Sequence, residues 1–274
     1  MADPILITSM DDERVAVFRD VRDADLRGRD KFFMAESEMV IRRLLRTPQR
    51  MHALFLSHGK YALLKDDLPA LADTTPVYVA EVGLMTQIAG FHIHRGVLAA
   101  GTRPTRNEVS LDVALGHLKD IDQCTLLVAQ GFTNVDNMGG LFRNAAAFGV
   151  DGILLDPTCC DPLYRKAIRV SMGHTLSVPY AISQSWPDDL IRLKQAWGMQ
   201  LVGAEITDQA RPLWKIPKGE KQAILFGSES DGLSTEALNL CDAICAIPMA
   251  QGVPSLNVAV STAVFLYERN RNES

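Results

Sequence analysis

The stretch "CTLLVAQGFTNVDNMGGLFRNAAAFGV", residues 124–150, decides the fold of this chain. It opens with a near-continuous apolar run of strand length and passes through a polar loop into a helical pattern. Further apolar runs of this kind are "GILLD", "LSVPYAIS", "MQLVGAE", "AILFGSE" and "AICAIPM". Helical stretches alternate with them near residues 138–149, 161–172, 188–198, 234–241 and 255–270. This alternation predicts an α/β domain whose parallel sheet is covered on both faces.

The N-terminal part has a different pattern, with a charged helical start followed by short elements. Three runs, "MHALFLS", "TPVYVAE" and "RGVLAAG", predict strands, and "GLMTQIAG" predicts a short helix. The polar stretch "GTRPTRNEVS", residues 101–110, contains Gly and Pro and is typical of a linker. We therefore predict a small α/β domain over residues 1–106 and a second domain over residues 107–274.

Composition limits the class of protein. The chain has 274 residues, of which 47% are hydrophobic and 22% charged, as in ordinary globular proteins. No apolar run approaches the ~20 residues of a membrane span, and the N-terminal stretch lacks the basic and hydrophobic regions of a signal peptide. We therefore expect a cytoplasmic protein that does not contact a membrane.

The five cysteines predict neither disulfides nor a metal site. Their odd number argues against complete pairing. Cys241 and Cys245 are four residues apart, but no second Cys/His pair lies nearby to complete a tetrahedral zinc site. We expect small, reduced, largely buried thiols and no bound metal.

The charge distribution leaves two interpretations of the N-terminal part open. The formal net charge is −5, which does not favour a nucleic-acid-binding protein. However, ten arginines and lysines fall within residues 14–31 and 42–50, interleaved with acidic residues. The run fits a solvated helix face with ion pairs as well as it fits an RNA-binding surface.

Polar segments follow three of the predicted strands, where ligands of open α/β sheets gather. The first, "TNVDNMGGLFRNAAAFGV" at residues 133–150, has several cap-type residues before a helix. Gly139 and Gly140 then stand in the expected first turn, where each costs about 1 kcal/mol relative to alanine. Arg143 lies three and four residues further on, so we predict that the glycines clear the helix face over which its guanidinium projects.

The second segment, "GSESDGLS" at residues 227–234, is a tight turn between a strand and a helix. Such a turn presents Glu229 and several backbone amides. It lacks the Gly-x-Ser-x-Gly of a nucleophile elbow and the Lys-Ser/Thr ending of a P-loop.

The third segment is "IPMAQGVPSLNVAVSTAVFLYE" at residues 247–268, a Gly/Pro loop before an apolar helix. Ser255 and Asn257 stand at the junction, and both residue types suit a helix start. Two polar side chains one residue apart cannot both cap the helix, which indicates a site at this position.

In this order, the three segments resemble motifs 1, 2 and 3 of the SpoU/TrmH-type RNA ribose 2′-O-methyltransferases of the SPOUT class. The resemblance covers residues 110–270. "FFMAESEMVIRRLL" takes the place of the Phe-x-x-Glu-Gly entry helix of the small, ribosomal-protein-like substrate-binding domain that many members carry, but without its glycine. The resemblance implies a C-terminal trefoil knot, a homodimer, S-adenosylmethionine as cofactor, and tRNA or rRNA as substrate.

The resemblance also implies the roles of particular residues. Arg143 would act on the reacting ribose, either as a base or by holding the adjacent phosphate and stabilising alkoxide charge. Asn137 would cap the helix and orient Arg143 or the substrate, while Glu229 would pair with an arginine or with polar backbone. Ser255 and Asn257 would supply hydrogen bonds around the reaction centre. The cofactor would bind backbone groups of Gly227, Ile247 and Leu256, with Phe226 and Met249 beside the adenine.

Two other functions remain as alternatives at this point. One is a non-catalytic RNA-binding paralogue that keeps the knotted fold, against which the presence of all the motif residues counts. The other is a dinucleotide-dependent enzyme, which would need Gly-x-Gly-x-x-Gly after the first strand, and "GFTNVDNMGG" does not supply it. The residues do not specify which RNA or nucleotide is methylated. His174 fits either a structural role or a phosphate contact.

Overall fold

The computed structural model describes residues 4–21, 31–72, 74–93 and 95–271. Its strands are β1 Ile5–Leu6, β2 Phe32–Glu36, β3 Met51–Ser57, β4 Val77–Ala80, β5 Val97–Thr102, β6 Cys124–Ala129, β7 Gly152–Leu155, β8 Tyr180–Ile182, β9 Gln200–Ala204, β10 Arg211–Pro212, β11 Lys221–Phe226 and β12 Ala243–Ala246. Its α-helices are α1 Glu38–Leu44, α2 His58–Leu64, α3 Val82–Ala89, α4 Leu111–Leu115, α5 Val135–Ala147, α6 Arg165–Val170, α7 Asp188–Gln195, α8 Thr235–Leu240 and α9 Val258–Asn270. Short 3₁₀ segments are Glu13–Phe18, Pro48–Arg50, Leu68–Ala70, Gly116–Asp120, His174–Leu176 and Leu213–Lys215.

The chain forms two compact units. The first comprises Met1–Arg103 together with Pro162–Ser177, and the second comprises Pro104–Asp161 together with Val178–Ser274. The first break in the chain thus falls inside the predicted linker. We predicted a single boundary at residue 106, but the first unit also includes the later segment Pro162–Ser177.

The first unit is built on a mixed sheet. Within the described residues its strand order is β1-β4-β3-β5-β2, with β1, β4 and β3 parallel and β5 antiparallel to both β3 and β2. Alternate residues of the strands enter two separate cores, because successive side chains point to opposite faces of a sheet. Phe55 and Leu98 belong to one core, and Leu54 and Ala99 to the other.

The segment 162–177 joins the first unit through apolar and ionic contacts. Leu163 and Ile168 are buried in the same core as Leu54. Glu36, at the end of β2, accepts from Arg165 at 3.4 Å and from Arg169 at 3.0 Å. These contacts make α6 a structural part of this unit.

The stretch "FFMAESEMVIRRLL" is not one entry helix, as the resemblance implied. Phe32–Glu36 is strand β2, and only Glu38–Leu44 is helical. Between them Ser37 has φ 82° and ψ 146°, which strains any residue except glycine. Ser37 occupies the place of the motif's glycine, so the missing glycine leaves strain at this turn.

At least three of the seven described residues in the basic run of the first unit form ion pairs with nearby carboxylates. Arg14 binds Asp12 at 2.6 Å, Arg19 binds Glu13 at 3.2 Å, and Arg42 pairs with Glu38 and Asp67. This favours the interpretation of the run as a face with ion pairs. Residues 22–30, which contain three of the arginines, lie outside the described residues.

The second unit confirms the predicted α/β architecture with a parallel sheet. Its strand order is β10-β12-β9-β11-β6-β7-β8 in the described part of the chain, and every pairing there is parallel. The central strands are buried on both faces, as their near-continuous apolar sequences require. No helix in the described part of the chain is long and apolar enough to span a bilayer.

Candidate active site

The three polar segments identified in the sequence meet at the carboxyl edge of this parallel sheet. They follow β6, β11 and β12, whose carboxyl ends point the same way because the strands are parallel. Their meeting point is the start of α9, where a single side chain contacts all three segments.

Asn257 is that side chain. Its Oδ1 accepts from the backbone N–H groups of Ala259 at 2.9 Å and Val260 at 3.3 Å, so Asn257 caps α9. Its Nδ2 donates to Asn137 Oδ1 at 2.9 Å and to Glu229 Oε1 at 2.8 Å. One amide therefore joins the first, second and third segments and uses both its donor hydrogens and its acceptor.

Asn137 does not cap α5, in contrast to the role implied by the resemblance. Asn134 is the cap, since its Oδ1 accepts from Asp136 N at 2.8 Å. Asn137 lies inside the first turn and is 5% exposed, with its side chain bonded to Asn257. The cap belongs to Asn134 because the helix begins earlier than the apolar pattern indicated.

Gly140 of α5 makes room for α9, not for Arg143. A Cβ on Gly140 would lie 2.6 Å from the Cβ of Ala259, closer than real Cβ atoms come. Beside this contact, Asn144 Nδ2 donates to the carbonyl of Ala259 at 2.6 Å. The prediction that Gly139 and Gly140 stand in the first turn was wrong, because α5 begins at Val135 and both glycines lie beyond its first turn.

Arg143 is exposed on α5, outside the cavity described below. Within the described residues its guanidinium forms no hydrogen bond or ion pair. The side chain is therefore available to a polyanion approaching α5.

The turn after β11 is closely packed at the level of its backbone. A Cβ on Gly227 would lie 2.0 Å from the carbonyl carbon of Gly232, so only glycine fits at residue 227. Gly232 itself has φ +65°, a left-handed value that glycine adopts without strain. Ser228 pairs with Gly232 across the turn, and this projects Glu229 toward Asn257.

A cavity of about 610 Å³ lies beneath this junction. All five residues expected to contact the cofactor line it: Phe226, Gly227, Ile247, Met249 and Leu256. Glu229, Ser255 and Asn257 also line it, whereas Asn137 and Arg143 do not. Ser255 is exposed and is not the helix cap, so its hydroxyl is free of that task.

The described lining of the cavity is acidic. Glu205, Glu229 and Asp231 contribute carboxylates, and no lysine or arginine lines it. Burial raises the pKa of the Cys245 thiol in the cavity wall, so the thiol stays protonated and is a poor nucleophile at neutral pH. Among the described residues, no three His, Cys, Asp or Glu side chains are grouped to hold a metal ion.

Sequence reasoning missed Glu205. It directly follows β9, its Oε2 accepts from Leu233 N at 2.8 Å, and its carboxylate packs against Gly232. The signal was present in "MQLVGAE", because an acidic residue directly after a buried parallel strand stands at the ligand-binding edge.

Comparison with known proteins identifies the family. The model of the SpoU rRNA methylase family matches residues 125–267, more than half of the chain. The chain belongs to this family. Membership places this SpoU methylase among the RNA methyltransferases and confirms the resemblance seen in its three motifs.

Relatives of this SpoU methylase match nearly its whole length. An uncharacterized tRNA/rRNA methyltransferase of Mycobacterium tuberculosis H37Rv is 38% identical, over 96% of this chain and 90% of the relative. A 23S rRNA (guanosine-2′-O-)-methyltransferase RlmB of Acinetobacter baylyi is 29% identical, over 82% and 90%. An rRNA methyltransferase from Sinorhizobium meliloti, solved with AdoMet bound, superimposes with a TM-score of 0.79 at 23% identity and covers 96% of each chain.

Proposed function

We propose that this protein transfers a methyl group from S-adenosylmethionine to a ribose 2′-hydroxyl in tRNA or rRNA. The observation that carries the proposal is the Asn257 amide, which joins the three family motifs above a cavity. The RlmB relative, named as a guanosine-2′-O-methyltransferase, supports the ribose hydroxyl as acceptor.

The cavity fits S-adenosylmethionine in size, shape and charge. Its volume lies in the usual range for small-molecule sites. Phe226, Met249 and Leu256 offer apolar walls to an adenine, and the turn at Gly227 brings backbone close to the ligand without side chains. When bound, S-adenosylmethionine supplies a methyl group on a positively charged sulfur. The carboxylates of Glu205, Glu229 and Asp231 favour that positive charge.

Arg143 serves the RNA in this proposal. A guanidinium stays protonated in proteins, so it binds the phosphate beside the reacting ribose and stabilises charge developing on the 2′-oxygen. The exposure of Arg143 and its lack of a partner within the described residues support this role. Ser255 and Glu229, which line the cavity near the start of α9, orient the reactants.

We also propose a homodimer that forms through α9. Val260 and Tyr267 on this helix are large apolar side chains, yet they are 50% and 62% exposed. Exposed apolar side chains that form one patch mark interaction sites, and we propose that Val260 and Tyr267 belong to such a patch. Light scattering at micromolar concentration should give twice the chain mass, and a monomeric mass would overturn this part.

The trefoil knot is a further part of the proposal. β12 pairs with β9, whereas α9 packs against α5, so residues 247–257 cross the carboxyl edge of the sheet. Threading of this segment is tested by pulling the chain from both termini. A knotted chain should stop short of the ~3.3–3.6 Å per residue of full extension, and complete extension would exclude the knot.

We assign RNA binding to the first unit and a cytoplasmic location to the protein. All five thiols are free, as is usual in a reducing compartment. Cell fractionation tests the location. The RNA affinity of a variant altered only in the first unit tests the RNA-binding role.

The cofactor is tested by thermal unfolding and calorimetry. Because no metal ligands are needed, S-adenosylmethionine at 100 times its Kd should add about 2.7 kcal/mol of stability, with or without EDTA. An unchanged unfolding temperature would refute cofactor binding.

The acceptor is tested by mapping ribose methylation in RNA from cells with and without the protein. Loss of one or a few 2′-O-methyl marks is expected. Cofactor binding without any lost mark would instead favour the non-catalytic paralogue.

A further inference from the structure

The first unit carries an exposed ring pair at one end of its sheet. The imidazole of His52 lies 4.2 Å from the ring of Phe32, centroid to centroid, with 31° between the planes. His52 is exposed, and Phe32 is half-buried at the margin of the apolar core. The imidazole therefore lies at the surface, tilted against the ring of Phe32, and is the more exposed ring of the pair.

A β-bulge puts His52 in this position. The pairing of β3 with β5 shifts register between Met51 and Ala53, so His52 is the extra residue that faces no partner on β5. Bulges turn a side chain out of the regular alternation of a strand and are frequent beside functional sites. Here the bulge directs the imidazole toward Phe32 on the edge strand β2.

Covering the apolar core does not by itself explain a histidine at residue 52. An imidazole that closes a core is normally buried and has both nitrogens satisfied. Within the described residues, His52 forms no hydrogen bond or ion pair, and it remains exposed. Partial burial lowers the pKa of His52, so its ring is neutral at physiological pH.

Basic residues adjoin the pair. Lys31 directly precedes Phe32 and is exposed, and its carbonyl accepts from Arg103 N at 2.9 Å. Arg103 Nε donates to the carbonyl of Phe32 at 2.9 Å, which ties the arginine to the backbone of this residue. An aromatic surface flanked by positive charge is the arrangement that binds an unpaired base and its phosphate.

We propose that Phe32 and His52 form a stacking platform for an unpaired base of the RNA substrate, with Lys31 contacting its phosphate. The proposal rests on the proposed function, because it assumes that the substrate is RNA. According to this proposal, the first unit recognises a single-stranded segment of the RNA. A regular duplex offers no free base face and would not occupy the platform.

The test measures binding of the full chain to two fluorescent probes, a 12-nucleotide single-stranded RNA of mixed sequence and the matching duplex. His52→Ala should weaken binding of the single strand by roughly tenfold, as expected for the loss of one base stack, and change duplex binding less than twofold. His52→Tyr should retain the affinity because it restores a ring. His58→Ala is the matched control, since His58 is an exposed histidine of the same unit beside Glu81.

A second measurement tests the phosphate contact. Lys31→Gln should lower the slope of log affinity against log salt by about 0.7, the value for one phosphate of a single strand. Single-strand binding by folded His52→Ala within twofold of the parent would overturn the proposal, as would equal losses for both probes. Calorimetry with S-adenosylmethionine distinguishes failure of the proposed function from failure of the platform. Absence of cofactor binding would refute methyl transfer from S-adenosylmethionine and leave the platform proposal standing.

Discussion

Replacement of Asn257 tests whether one amide holds the three motifs together. Asn257→Ala removes the cap of α9, which contributes about 1 kcal/mol. It also removes the bond to buried Asn137, worth about 1 kcal/mol, and the exposed bond to Glu229, worth less. The second unit should therefore lose about 2–3 kcal/mol of stability.

Asn257→Asp separates the two tasks of the side chain. A carboxylate keeps the cap, because its oxygens accept from the N–H groups of the first turn. It has no donor for Asn137 and places negative charge beside Glu229, so we expect a loss of about 1–2 kcal/mol. Asn134→Asp, at the cap of α5, is the matched control and should be nearly neutral, since that side chain serves only as a cap among the described contacts.

The assay is urea unfolding followed by tryptophan fluorescence. All three tryptophans, Trp186, Trp197 and Trp214, lie in the second unit, so the signal reports on that unit. A double-mutant cycle of Asn257→Ala with Asn137→Ala should give a coupling of about 1 kcal/mol. Additivity within about 0.3 kcal/mol would refute the bridge and leave Asn257 as a cap alone.

Three other substitutions have defined outcomes. Arg143→Ala should leave folding and S-adenosylmethionine affinity intact and slow single-turnover methylation of the RNA about a hundredfold, with little rescue by lysine; a rate within a few-fold of the parent would make the arginine a surface residue. Gly140→Ala should destabilise the second unit by about 1–3 kcal/mol in urea because its Cβ meets α9, whereas Gly116→Ala, with open space around it, should not. Ser37→Gly should raise the stability of the first unit, measured by thermal circular dichroism, by about 0.5–2 kcal/mol; no gain would contradict the strain at this turn.

The parallel sheet of the second unit was predictable because its signal is local. Runs such as "CTLLVAQ" and "AILFGSE" are almost continuously apolar and of strand length, which is typical of strands buried on both faces. The motif segments could likewise be placed at the strand ends. The contacts between side chains of different segments could not be predicted, because residues such as Asn137 and Asn257 are separated by 120 residues.

The errors arose where tertiary contacts decide the role of a residue. Gly140 was predicted to clear the helix face for Arg143, because the sequence held no information about the approach of Ala259. Asn134 and Asn137 are both acceptable caps, and only the start of α5 distinguishes them. The entry helix expected before Ser37 is absent, because Phe32–Glu36 pairs with β5 as a strand. That pairing joins residues distant in sequence.

The contribution of Pro162–Ser177 to the first unit bears on how this protein can be engineered. Transplanting the first unit onto another methylase requires two crossover sites, because residues 1–103 carry only part of its hydrophobic core. A truncated gene for that stretch would leave the apolar surface that receives Leu163 and Ile168 open to solvent, and its product should aggregate. The same constraint acts on evolution, since recombination at a single point cannot exchange the first unit without separating Pro162–Ser177 from the rest of its core.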